Sequence, residues 1–239
     1  MPEILYDFHS HILPGMDDGY QDVESAIKAL ELSYAQGVRY MMATPHYNHE
    51  EPIDAFLLRR QEAMDRLQEA MDRHGGPFPQ ICLGAEVHYY PNIKLEENLW
   101  KLCLGNSSYM LLEMPFLCWD MDVVREVQTI CYAGEVTPVL AHIERYIPWQ
   151  ERYVAQKLLS LDVLLQMNAE FILTRRTRRS AKKMLRNQPP YLFGTDCHNL
   201  TDRQPCLRPA LERLKGPAMM AAVDKSLQLS QEIWEQAIG

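Results

Sequence analysis

The chain has 239 residues and a formal charge of −8, from 24 Lys and Arg against 32 Asp and Glu. So acidic a balance argues against wholesale nucleic-acid binding, because a phosphate backbone is repelled except at a concentrated basic patch. Hydrophobic residues at 47% and charged residues at 23% supply a sizeable globular core and exclude the composition of a disordered chain.

No apolar run approaches the ~18–20 residues that cross a bilayer, since Glu113 and Asp120 interrupt the most apolar stretch, 109–124. The first residues carry no basic segment followed by a long apolar one, so no secretory signal is expected and the cytoplasm is the expected location. Six cysteines, Cys82, Cys103, Cys118, Cys131, Cys197 and Cys206, show no CxxC spacing. They read as reduced thiols, and a zinc ribbon is excluded.

Periodicity predicts a strand over 3–8, then a helix over 22–36 with Val23, Ala26, Ile27, Leu30 and Tyr34 on one face, closed by Gly37. A second strand is predicted over 38–43, followed by a long amphipathic helix over 52–74 and a Gly75-Gly76-Pro77 breaker. Further strands are expected at 80–85, 109–112, 137–141, 163–167 and 191–194, each followed by a helix-compatible stretch. Short apolar strands alternating with helices indicate a parallel sheet covered on both faces. With no linker or low-complexity segment to divide it, the chain reads as one domain over 1–239, an α/β barrel or near-barrel of seven units. An open doubly wound sheet is disfavoured because neither GxGxxG nor a Walker A sequence is present.

Strand after strand ends in a metal-ligand residue type: His9 and His11, then His46, Glu86, Glu113, His142, and finally Asp196 and His198. In a parallel barrel all strand C-termini open at one face, so these residues converge although they are distant in sequence. His-x-His and Asp-x-His each set two ligands on one side of an extended segment. A single His at a strand end is usually just a satisfied polar residue, but five of the eight histidines lie there. A core would not collect them with three carboxylates unless cations balanced the charge. His49, His74 and His88 fall off the pattern and are assigned surface or supporting roles.

Mixed imidazole and carboxylate donors suit manganese, iron or zinc. Paired ions sharing a carboxylate suit phosphate-ester hydrolysis. Arg145, three residues after His142, and Arg203, five after His198, are the candidates to hold phosphoryl oxygens. The plainer alternative pairs them with local acids such as Glu144 or Asp202.

The segments Asp7-Phe-His-Ser-His-Ile-Leu-Pro-Gly-Met-Asp-Asp-Gly19, Gly84-Ala-Glu-Val-His-Tyr-Tyr90, Ala141-His-Ile-Glu-Arg-Tyr146 and Thr195-Asp-Cys-His-Asn-Leu200 resemble the PHP (polymerase and histidinol phosphatase) superfamily. Within it they look like the manganese-dependent bacterial protein tyrosine phosphatases of capsule and exopolysaccharide systems, the CpsB type. The resemblance implies a distorted TIM-like (β/α)7 barrel of the PHP type binding three divalent ions, Mn2+ foremost and Fe or Zn as alternatives. Carried over by position, His9, His11, Glu86 and Asp196 would hold one ion. Glu86, Glu113 and His142 would hold a second, and Asp18, His46 and His198 a third. The implied reaction is attack of a metal-bound hydroxide on the phosphorus of phosphotyrosine, supported by Arg145 and Arg203. The implied substrate is a bacterial tyrosine kinase controlling capsular or exopolysaccharide synthesis. His88 and Pro115 stand beside ligand-bearing stretches and bear on the pocket rim.

Cys197 and Arg203 match the C-x5-R spacing of cysteine-dependent tyrosine phosphatases. That mechanism is rejected, because the intervening residues contain no glycine to wrap a phosphate and Cys197 alternates away from Asp196 and His198. The rival functions are a PHP small-molecule phosphoesterase such as histidinol phosphatase, an amidohydrolase-like enzyme, and a noncatalytic metal-stabilised interaction protein. The basic cluster over 175–186 reads either as a solvated helix face or as a dock for an acidic, phosphotyrosine-bearing tail. The thirteen methionines read as core filler.

Overall fold

A computed structural model describes residues 2–187 and 190–239. Met1, Gln188 and Pro189, within the span of the expected single domain, lie outside the described residues.

The first strand, β1 (Leu5–Ser10), leads through the Asp-Asp-Gly turn to α1 (Val23–Ala35). Asp22 caps that helix, its carboxylate accepting from the Ser25 N–H, which satisfies one of the N–H groups a helix start leaves open. The strand β2 (Val38–Ala43) runs on into the two-residue β3 (His46–Tyr47). Pro45 lies at the break, where its missing N–H interrupts the ladder. Helix α2 (Ile53–His74) ends on Gly75 at φ 70°, the left-handed closure that glycine adopts without strain. Then β4 (Gln80–Leu83) continues into β5 (Glu86–His88), and β6 (Tyr109–Glu113), α3 (Met121–Ala133), β7 (Thr137–Leu140), α4 (Arg152–Leu159) and β8 (Leu164–Asn168) follow. The chain closes with α5 (Ala169–Leu173), α6 (Arg178–Asn187), β9 (Tyr191–Gly194), α7 (Leu207–Leu211) and α8 (Pro217–Ile238).

The strands form two parallel sheets, β1-β2-β4 and β3-β5-β6-β7-β8-β9. Because β2 feeds β3 and β4 feeds β5, the two sheets are one curled surface creased at two positions. Backbone bonds from Gly84 N to Ala43 O (2.8 Å) and Glu86 N to Pro45 O (3.1 Å) carry the ladder across the crease. At the far edge the first and last strands meet, with Asp196 N donating to His9 O (2.7 Å) and His11 N to Cys197 O (3.1 Å).

Strands fall where the apolar runs predict them, shifted by up to two residues at the ends. The exception to the alternation lies between β5 and β6, where two short 3₁₀ turns, Ile93–Leu95 and Leu99–Leu102, replace the expected helix. Pro91 and Asn92, the latter at φ 68°, stop a helix from starting there.

Inside the curl, Phe8, Met42, Leu111, Val139 and Leu192 pack with Ile233, Trp234 and Ala237 of α8. Residues near the strand starts, Tyr6, Tyr40, Tyr109 and Leu164, flank this cluster, so α8 plugs the N-terminal end of the strands. The C-terminal end is left for polar groups. Burying a side chain such as Phe8 fully contributes ~1.5–3 kcal/mol. No helix among the described residues is long and apolar enough to cross a membrane.

Gly194, the last residue of β9, lies where that strand presses on β1. A Cβ there would stand 2.5 Å from the His9 Cβ and 2.9 Å from both the His9 amide nitrogen and the Gln166 Nε2. Gly194→Ala should therefore push β1 and β9 apart and cost about 1–3 kcal/mol. A thermal melt should show a midpoint lower by roughly 2–12 °C; an unchanged midpoint would show that the two strands need not approach so closely.

Candidate metal centre

The strand ends deliver their polar side chains into one small volume. His9 and His11 leave β1 with both rings fully buried and their Nε2 atoms 3.1 Å apart. Glu86 sits at their centre, with Oε2 3.0 Å from His9 Nε2, 3.2 Å from His11 Nε2 and 3.1 Å from His46 Nδ1, and Oε1 2.8 Å from His142 Nε2. Asp196 Oδ1 lies 3.6 Å from His9 Nε2 and 3.4 Å from His11 Nε2. At the mouth the exposed Asp18 places Oδ1 3.3 Å from His198 Nε2 and 3.6 Å from His46 Nε2. All nine ligand residue positions expected from the sequence thus meet here.

Donor atoms close enough to share an ion form four groups. They are His11, Asp18, His46 and His198; His9, His11 and Asp196; His9, Glu86 and His142; and His46, His88 and Glu113. Glu113 is 3.4 Å from His142 Nε2, but its nearer partner is His88, at 2.5 Å. His88 also stacks on His46, with ring centroids 4.6 Å apart. Sequence spacing set His88 aside, because it falls two residues past Glu86 and not at a strand end of its own. The other two outliers lie away from the cluster, His49 stacked on Tyr90 and His74 paired with Glu31.

The orientation of the rings tests whether the donors suit cations. Asp17 Oδ2 accepts from His11 Nδ1 (2.7 Å), Gln166 Oε1 from His9 Nδ1 (3.2 Å), and the Asp196 carbonyl from His198 Nδ1 (2.9 Å). Each bond fixes the proton on Nδ1 and leaves the Nε2 lone pair facing inward, the arrangement that orients metal-binding histidines. Glu86 Oε2, Glu113 Oε2, His46 Nδ1 and His198 Nε2 have close imidazole–carboxylate contacts but none with hydrogen-bond geometry, and the buried His142 Nδ1 has no partner at all. Buried polar atoms are rarely left so. A set of imidazole and carboxylate donors converging on shared points fits divalent transition-metal cations.

Electrostatics shows what happens when protons serve as the only counter-charges. Burial disfavours charge on His9 and His11, yet Glu86 and Asp196 with His9, and Asp17, Asp196 and Glu86 with His11, outweigh it and raise both pKa values. Burial would raise Glu86 and Asp196, and the same imidazoles hold both well below the usual carboxylate range. His198 is pushed down to about 4 by burial and by the charge on His11.

Three supporting elements escaped the sequence reading. Asp7, buried in β1 and pushed up to about 6 by burial, accepts from Thr195 N (2.9 Å), Thr195 Oγ1 (2.6 Å) and His9 N (3.3 Å). It ties the first strand to the last. Gln166 and Asn168 end β8, the one strand without a ligand type. Gln166 Oε1 accepts from His142 N (2.6 Å), its Nε2 donates to Asn168 Oδ1 (2.9 Å), and Asn168 Nδ2 donates to Asp196 Oδ2 (2.8 Å). This buried amide relay connects three ligand positions, and its only sequence signal is a polar pair at period two. Asp17, held down to about 2 because its bond to His11 outweighs burial, also accepts from His46 N (2.8 Å) and Gly19 N (2.9 Å). A Cβ at Gly19 would come within 2.6 Å of the His11 Cβ, so the Asp-Asp-Gly turn requires glycine. His142 and Asp196 are also two of the three non-glycine residues with positive φ among the described residues, at 27° and 51°. Such backbone strain persists where surrounding bonds over-determine it.

Both arginines reach this site. Arg145 Nη2 lies 2.6 Å from Asp196 Oδ2 and Arg203 Nη2 2.7 Å from Asp196 Oδ1. Each guanidinium is about one-third exposed, at 34% and 31%. Their shared acidic partner is therefore Asp196, and not Glu144 or Asp202, with Asp18 Oδ2 a further 4.0 Å partner of Arg203.

The family model for capsular polysaccharide synthesis proteins, CpsB/CapC, matches residues 5–227. The chain belongs to the CpsB/CapC family. Among curated relatives, a tyrosine-protein phosphatase CpsB of Streptococcus agalactiae is 27% identical over 223 residues, covering 86% of this chain and 88% of that protein. The tyrosine-protein phosphatase YwqE of Bacillus subtilis is 32% identical over 151 residues, 59% of this chain and 55% of the relative. A solved structure from work on YwqE of Bacillus subtilis and CpsB of Streptococcus pneumoniae, described there as metal-dependent tyrosine phosphatases, superposes with a TM-score of 0.75. It is 22% identical, over 95% of this chain and 94% of that one. At that identity the likeness shows the fold, and this CpsB/CapC member shares it.

Because ligands must shed protons to coordinate a cation, Mn2+ added to chelator-treated protein at pH 7 should release protons and raise the melting temperature. Calorimetry in buffers of differing ionisation enthalpy reads the first effect. Binding without proton release would contradict the raised pKa values of His9 and His11.

Proposed function

We propose that the protein is a metal-dependent protein tyrosine phosphatase built as a single domain over 1–239, a distorted (β/α)7 barrel of the PHP type. The observation that carries this reading is the set of Nε2 lone pairs converging beside two partly exposed arginines. In it His9, His11, Glu86 and Asp196 hold one ion, Glu86, Glu113 and His142 a second, and Asp18, His46 and His198 a third. The close groupings of Asp18, His46 and His198 and of His9, His11 and Asp196 support the third and first of these, whereas Glu113 groups with His46 and His88, and Glu86 and His142 with His9. Mn2+ is the proposed metal, with iron or zinc as alternatives. Bound divalent cations would supply Lewis-acid charge at the phosphoryl group and lower the pKa of a water.

The chain's own residues then have defined tasks. Arg145 and Arg203 approach Asp196 from the open side, so their remaining N–H groups can grip phosphoryl oxygens and keep that grip as charge develops. Gln166, Asn168 and Asp7 hold the ligand-bearing backbone in place. No side chain needs to protonate the leaving group, since a phenol has a pKa of ~10.

An aromatic leaving group also suits the rim. Phe116, Leu117 and Trp149, exposed at 74%, 59% and 74%, border an apolar cleft of about 340 Å³ with Tyr146. Tyr146 in turn donates to Glu113 Oε1 at 3.2 Å. This wall favours phosphotyrosine over a small alkyl phosphate such as histidinol phosphate. The proposed substrate is a tyrosine kinase of capsular or exopolysaccharide synthesis, and the proposed location is the cytoplasm.

Cys197 is fully buried and its thiol is pushed up to about 12 by burial, so it cannot supply a thiolate nucleophile. Cys197→Ser should leave kcat on a phosphotyrosyl peptide within about threefold of wild type, and abolition of turnover with metal content intact would reinstate the cysteine mechanism.

The main test measures phosphate release from a phosphotyrosyl peptide and from histidinol phosphate by metal-stripped protein refilled with Mn2+. The peptide should be cleaved only with metal, His9→Ala should abolish turnover, and Arg145→Ala should lower kcat by about 10²–10³. Activity confined to histidinol phosphate would move the enzyme to the small-molecule branch, and metal binding without turnover of any phosphoester would make it an interaction protein.

A further inference from the structure

Seven of the chain's 24 Lys and Arg fall within residues 175–186, and no acid is among them. The structure shows how they are used. Arg178 turns back to bond the carbonyls of Ile172 and Leu173, closing the end of α5. Ala181 and Leu185, one turn apart on α6, are buried against the body. Arg179, Lys183 and Arg186, at helical spacing on the other side, are exposed, as are Arg175 and Arg176 in the preceding turn. The ion pairs among the described residues engage other Lys and Arg side chains and none of these five. A protein of net charge −8 therefore carries a stripe of uncompensated positive charge.

That stripe adjoins the candidate metal centre. A cleft of about 270 Å³ runs from Arg145 past Asn168, Glu170 and Phe171 to Arg176. A smaller cleft lined by Arg145, Asn168 and Glu170 continues to Asp196 and Arg203. Arg145 belongs to both, so a chain whose phosphate sits at Arg145 and Arg203 has a path towards Arg176 and α6. Glu170 and, in the smaller cleft, Asp202 are the exposed acids on this path, and both lie on the side nearer the site.

We infer that α6 and the preceding turn bind acidic residues flanking the phosphotyrosine of a peptide substrate, with Arg176, Arg179 and Lys183 as the contact cations. This rests on the phosphatase reading and adds the sequence class of its substrate. Charge selects the occupant: elsewhere the acidic surface repels a negatively charged peptide, and the stripe attracts it. A nucleic acid fits less well, because residues 175–186 contain no aromatic side chain on which a base could stack.

The test uses the Mn2+-loaded full chain and three phosphotyrosyl peptides. Two carry three Glu on one side or the other of the phosphotyrosine, and the third carries Gln at all of those positions. At least one acidic peptide should show a kcat/KM about tenfold above the Gln control, through KM, and the advantage should shrink between 50 and 200 mM salt. In the triple variant Arg176→Gln, Arg179→Gln, Lys183→Gln the advantage should vanish, while kcat and turnover of a small aryl phosphate stay at wild-type values. Equal rates on acidic and neutral peptides, an advantage that survives in the variant, or stronger inhibition by single-stranded DNA than by acidic peptide would overturn the docking face and leave the phosphatase standing. Failure to cleave any phosphotyrosyl peptide would remove the phosphatase reading and this inference together.

Discussion

The fold is organised around a crowding of like groups that water alone would not permit. His9 and His11 face each other through Nε2 atoms 3.1 Å apart, in a pocket from which both are fully excluded from solvent. Bare imidazole nitrogens repel at that range, and carboxylates buried among them carry a desolvation penalty of several kcal/mol per ion unless opposite charge is close. The surrounding architecture holds this cluster together. Parallel strands bring their C-terminal ends to one side, α8 fills the other, and the buried Asp7, Gln166 and Asn168 fix the backbone from which the ligands project.

The division between the two ends of the strands follows from this. Apolar packing at the α8 end supplies stability without involving the ligands, so the polar end is free to carry strain. His142 and Asp196 accept unfavourable backbone angles because several hydrogen bonds each hold them there. A site of this kind is stabilised by its neighbours as much as by its own contacts.

The large features were legible in the sequence because they follow from short-range rules. Apolar runs of four to six residues gave strands to within two residues, and a ligand type after each of six strands gave the cluster. What was not legible depends on which atoms meet. The break in the alternation between β5 and β6 turns on Pro91 and Asn92. The pairing of His88 with Glu113 depends on the register of β5 against β6, which sets the two residues opposite each other. Gln166 and Asn168 look like ordinary polar residues until the third dimension places them under His9, His142 and Asp196. That both arginines reach Asp196 was likewise not legible, because sequence proximity offers only local acids such as Glu144 and Asp202.

The seam between the first and last strands sets a schedule for maturation. His9 and His11 are made before Asp196 and His198, which lie 187 residues further along the chain. The His9–Asp196 contacts and the Asp7–Thr195 tie cannot form until β9 has been synthesised and docked. A chain that has not yet reached β9 therefore offers only part of the cluster. Assembly of the full cluster is a late event, coupled to closure of the fold.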